Sequence, residues 1–96
     1  MGIFIFARFH ARLSDERFLE AALRDLLPPS REEPGCQSIH VFRSIRDPRL
    51  FFVHSHWADE AAFENHANLP HVTDFLERVE PLIDHPLDVA RTEMIA

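Results

Sequence analysis

Residues 37–57 read Gln-Ser-Ile-His-Val-Phe-Arg-Ser-Ile-Arg-Asp-Pro-Arg-Leu-Phe-Phe-Val-His-Ser-His-Trp. Two arms, 37–45 and 50–57, are rich in β-branched and aromatic residues and favour strands. The connector Arg46-Asp47-Pro48-Arg49 is so short that the arms must pair antiparallel, as a hairpin. Toward the N-terminus, polar residues 30–33 and the turn formers Pro34-Gly35 lead back to a helix. Phe18, Ala22 and Leu26, with Leu19, Leu23 and Leu27, form its apolar stripe. Ser14 is placed to cap it, Asp15 and Glu16 suit its first turn, and Pro28-Pro29 are expected to end it. Ahead of that helix, Ile3-Phe4-Ile5-Phe6-Ala7-Arg8-Phe9-His10 reads as another strand. Toward the C-terminus, Asp59 can cap a helix carrying Ala62, Phe63, His66 and Ala67, which Pro70 interrupts. The pattern resumes with Val72, Phe75, Leu76 and Val79, closes at Pro81 and Pro86, and gives way to a strand over 87–95.

Strand, helix, strand, strand, helix, strand is the α+β, ferredoxin-like βαββαβ order, predicted here as a single domain over residues 1–96. Right-handed crossovers put both helices on one face of a four-stranded antiparallel sheet. Yet the first strand is apolar on both faces, Phe4 and Phe6 against Ile3, Ile5 and Phe9. The third repeats this, Leu50 and Phe52 against Phe51, Val53 and Trp57. Two helices cover one face only, so a homodimer packed sheet against sheet is expected.

Leu, Ile, Val and Phe make up 30 of 96 residues, enough for a packed core. Ten Lys and Arg against 16 Asp and Glu give a net charge of −6, and the arginines are scattered among acids. That balance repels phosphate, so no nucleic-acid partner is expected. No segment has the length of a membrane span, and the apolar start is cut by Arg8 before it could serve as a signal. The lone Cys36 fits a reducing compartment, and a cytoplasmic location is expected.

Seven histidines stand out in a chain of this size. His54 and His56 share one strand face, but a metal would need a third ligand from a distant residue such as His40 or Glu64, so no metal is expected. Phe63, His66, Ala67 and Pro70 recur at helical spacing, which aims His66 with Phe63 at the sheet. A half-buried histidine there suits proton transfer near neutral pH, or equally a satisfied place in the core. His71, one turn before Phe75, can edge a cavity or stay solvated. Trp57 ends the third strand beneath the second helix, near Phe63 and His66. Cys36 has no neighbouring histidine or helix start to activate it, and no glycine-rich phosphate loop is present.

Glu33-Pro34-Gly35-Cys36, a hairpin ending in Trp57, then Ala61-Ala62-Phe63-Glu64-Asn65-His66, Pro70-His71 and Phe75 form a pattern running through nearly the whole chain. It resembles the antibiotic-biosynthesis monooxygenase (ABM) domain family, which includes quinol monooxygenases of the YgiN type. The resemblance implies a dimeric α/β-barrel and oxygenation of a small electron-rich aromatic, a phenol or quinol, with dioxygen and no cofactor. It makes His66 the proton acceptor and Trp57, Phe63, His71 and Phe75 the substrate-binding residues.

The chain also departs from that family. Ile39 stands where many relatives carry Tyr, and Ser55-His56 where Glu-Arg often precedes the Trp. Branches that degrade haem use an Asn on the first strand and a late-helix His, where this chain has Ala7-Arg8 and Phe75-Leu76. A non-catalytic dimer that binds a small hydrophobic metabolite, or an isomerase of the same fold, are the alternative readings.

Overall fold

The computed structural model describes residues 2–96. It contains strands β1 (Ile3–His10), β2 (Cys36–Arg43), β3 (Leu50–Trp57) and β4 (Asp88–Thr92), and helices α1 (Glu16–Arg31), α2 (Glu60–Ala67) and α3 (Pro70–Val79). A single 3-10 turn, Glu80–Leu82, follows α3. The strands form one antiparallel sheet in the order β2-β3-β1-β4, the expected ferredoxin-like topology.

Local chemistry explains where the boundaries move from expectation. A turn at Arg12–Asp15 holds Ser14 at φ 72, so Ser14 does not cap α1; the boundary residue is Asp15. Pro28 and Pro29 lie inside α1 rather than at its end. The donors they lack would have reached the carbonyls of Arg24 and Asp25, which lie on the solvent side, and proline's fixed φ suits a helix. Phe18, at the margin of the stripe, is exposed, whereas Leu19, Ala22, Leu23 and Leu26 are buried. β2 stops at Arg43 because Ser44 Oγ accepts from the backbone of Arg46 and Asp47 and turns the chain. Asp59 caps α2 through Ala62 N–H at 2.8 Å. Pro70 opens α3 as its first residue, where a missing donor costs nothing. The last strand is shorter than 87–95 and ends at Thr92.

Ile5 and Phe9 of β1, Ile39 of β2, and Phe51, Val53 and Trp57 of β3 are buried beneath the helices. The opposite face is open in the single chain, with Phe6 50 %, Phe42 52 % and Phe52 37 % exposed. There Phe4 stacks on His56 at 4.1 Å between ring centres and Phe6 leans on His54 at 4.7 Å. His54 and His56 therefore pack with aromatic rings on the open sheet face.

Candidate active site

The site is assembled where α1 hands over to β2. The turn Glu33-Pro34-Gly35-Cys36 closes with Cys36 N–H on the Glu33 carbonyl, and Gly35 accepts from Ala58 N–H. Gly35 sits against Ala62 of α2 with no room for a side chain. This close approach swings the Glu33 carboxylate under α2 and α3, where its side chain is only 8 % exposed.

His66 points from α2 toward the sheet and is buried, as its spacing predicts. Its ring lies 4.4 Å from Trp57 and 5.7 Å from Phe63, centre to centre. Nδ1 donates to Glu33 Oε2 at 2.7 Å, and His71 Nε2 donates to the same oxygen at 3.0 Å. An ionised carboxylate only accepts, so each facing nitrogen carries the hydrogen. Ser30 Oγ lies 3.4 Å from His71 Nε2. Burial pushes the His66 imidazolium below its ordinary pKa; Glu33 pulls it back up, and His71 adds a further push down. The neutral ring therefore prevails near pH 7. Its Nε2 has no hydrogen-bond partner among the described residues and is not sealed from solvent. That atom is a free proton acceptor.

His66 borders a cavity of about 400 Å³ between the sheet and the helices. Ile5, Phe9, Ile39, Val53, Phe63 and Phe75 give it apolar walls. Arg91 of β4 sits on the same wall, its guanidinium 5.0 Å from the Phe63 ring centre and paired with Glu60 and Glu64 of α2.

Of the residues singled out in the sequence, Phe63, His66 and Phe75 border this cavity. Trp57 and His71, expected to bind substrate, do not. Trp57 is wholly buried against His66 with its Nε1–H on Ser55 Oγ at 2.9 Å, because the alternation of β3 turns it inward at the strand's end. His71 lies beyond Glu33 and opens onto a separate groove with Asp25, Asp74 and Arg78. Glu33 is the partner that sequence reasoning missed. An acid placed in a Pro-Gly turn was its only signal, and 33 residues separate it from His66.

Ligand-type atoms lie within 4.8 Å of one another in Glu33/His66/His71 and in His10/Asp84/His85, not at the His54/His56 pair. In both clusters one carboxylate is hydrogen-bonded to two imidazoles.

Residues 3–78 match the family model described as "Antibiotic biosynthesis monooxygenase". The chain belongs to that family. Among curated relatives, "Putative monooxygenase YcnE" of Bacillus subtilis is 34% identical over 79 residues, 82% of either chain. The crystal structure of PA3566 from Pseudomonas aeruginosa superposes with a TM-score of 0.92 at 29% identity, covering 99% of this chain and 95% of that one. Rv0793 from Mycobacterium tuberculosis shares the ABM fold, with a TM-score of 0.94 at 23% identity over 100% of this chain and 97% of its own. Family membership carries a monooxygenase-type function; the residues of the cavity bear on what it acts upon.

Proposed function

We propose that the protein oxygenates a small electron-rich phenol or quinol with dioxygen and no other cofactor. One observation carries this reading: a buried, neutral His66 borders an apolar cavity with its Nδ1 held by Glu33 at 2.7 Å and its Nε2 left without a partner among the described residues. His66 takes the phenolic proton, and Glu33 stabilises the imidazolium that forms. The phenolate gives one electron to dioxygen, and the resulting pair joins at a ring carbon that carries hydrogen. The hydroperoxide then loses water and leaves a carbonyl. Phenol plus dioxygen becomes quinone plus water, so the substrate supplies both electrons and no external reductant is needed. The apolar walls give the phenol ring a hydrocarbon surface to bind against.

An oxygen electrode with a panel of phenols and hydroquinones tests this, followed by mass spectrometry under ¹⁸O₂. One labelled oxygen should enter the organic product. Oxygen consumption no faster than the protein-free control across the panel would refute the reading. Ile39 on the cavity wall, in place of a phenol-bearing side chain, favours the second reading, a binder of a hydrophobic metabolite. Tight binding of the same phenols without oxygen consumption would select it.

For assembly, we propose that a second copy covers the open sheet face. Three phenylalanines at 37–52 % exposure on one sheet face support a sheet-to-sheet homodimer.

A further inference from the structure

Glu33 brings one negative charge to two imidazoles. Its Oε2 accepts from both, and the two rings stand 6.0 Å apart, close enough for two imidazolium charges to repel. A buried carboxylate is best balanced by one neighbouring cation, not by none or two. The imidazoles are unequal holders of that charge. His66 is 8 % exposed and faces the cavity, whereas His71 is 25 % exposed and its Nδ1 takes no hydrogen bond from the described residues. The remaining charges around the pair are partly spent on each other. Beside His71, Asp25 holds Arg78 at 2.9 Å and Asp74 lines the groove. Beside the cavity, Arg91 is held by Glu60 and Glu64. Behind Glu33, burial raises the pKa of the Cys36 thiol, which keeps it neutral.

We propose that His66 and His71 share one positive charge across Glu33, with His71 the resting holder and the outlet to solvent. When His66 Nε2 accepts a proton from a molecule in the cavity, His71 releases its Nδ1 proton to water. Glu33 stays a carboxylate throughout, and the trio keeps zero net charge before and after. His71 touches no substrate; it is a positioning residue that sets the charge of the base. The catalytic use of this exchange rests on the reading of His66 as the base, but the sharing itself does not.

Trp57 is the only tryptophan, and its ring lies against His66, so protonating His66 should quench its fluorescence. In the wild-type protein without ligand, imidazole NMR should show His71 taking a proton at higher pH than His66. In His71→Gln, the Trp57 quenching midpoint should rise by about one pH unit, because Glu33 then attracts a proton only to His66. In Glu33→Gln it should fall. An unmoved midpoint in His71→Gln, or His66 protonated first in the wild type, would overturn the proposal; the NMR order needs no variant to fold. With an oxidised phenol, the acid limb of the rate profile should move with the fluorescence midpoint. If no phenol is consumed, the oxygenation reading fails while the fluorescence and NMR arms still decide this one.

Discussion

Gly35 lies so close to Ala62 that a methyl group on Gly35 would overlap the Ala62 side chain. This contact joins the turn that carries Glu33 to the helix that carries His66. Gly35→Ala should therefore cost about 1–3 kcal/mol, as overpacking does. Urea denaturation would measure it, and Ala62→Gly in the same chain should restore part of the loss. A Gly35→Ala protein as stable as the wild type would show that the two elements are free to separate.

His66→Ala should lower turnover of an oxidised phenol by about 10²–10⁴-fold, the range for loss of a general base. Initial rates of oxygen uptake, compared with thermal stability of the same variant, separate lost chemistry from lost packing.

The pH dependence of that activity has a definite sign. Burial, the largest influence, lowers the His66 pKa from its ordinary 6.5, and only the neutral ring accepts a proton. Activity should be full above 6.5 and decline below it, as the lowered pKa is crossed. An acid limb centred above 6.5 in kcat/KM would contradict this order of effects.

A second histidine behaves oppositely. At the far end of β1, His10 Nδ1 meets Asp84 at 2.8 Å and Nε2 meets Asp47 at 2.9 Å, and these hydrogen bonds, Asp84 first, raise its pKa above 6.5. The stability this clamp adds is complete below 6.5 and fades as pH rises through the raised value. Asp84 is held down to about 2, chiefly by His85 and then by His10, so its share persists above 3.8 and is lost toward pH 2. Melting temperatures of wild type and His10→Gln should differ most between those limits and converge in alkaline buffer. A constant difference across pH would remove the electrostatic explanation.

Phe6→Glu would bury an unpaired carboxylate if a second copy covers the open face. Sedimentation should show a dimer for the wild type and an 11.2 kDa monomer for the variant. A monomeric wild type at micromolar concentration would argue against the assembly.

The fold was legible because its signals are local. Alternation marked the strands, helical spacing aimed His66, and Asp59 announced a cap that the structure keeps. The errors came from competition that a linear reading does not weigh. Pro28 and Pro29 stay helical because water can take the carbonyls they leave unpaired, and Ser14 gives up its capping place to a turn. In the site, the residues on α2 and α3 that face inward could be read from periodicity, but Glu33 could not. Its role depends on a tertiary approach of two small residues, Gly35 and Ala62, whose consequence appears only in three dimensions.

Registers across the sheet have one more effect. Cα partners pair odd with odd and even with even, as in Phe6 with His54, Phe6 with Ala90 and His40 with His54. Outside the start of β2, a strand residue's parity therefore names its side. Odd numbers lie on the side of the helices, where 5, 9, 39, 53 and 89 line the cavity, and even numbers lie on the opposite side. The start of β2 breaks the rule: the irregularity between Cys36 and Ser38 pairs Cys36 with Trp57, packs it against the core and leaves Gln37 exposed. A mutational scan of the four strands should accordingly separate into two interleaved sets, one altering which molecules the cavity admits and the other altering how the protein meets its surroundings. Each property can then be tuned by substitutions that leave the other untouched.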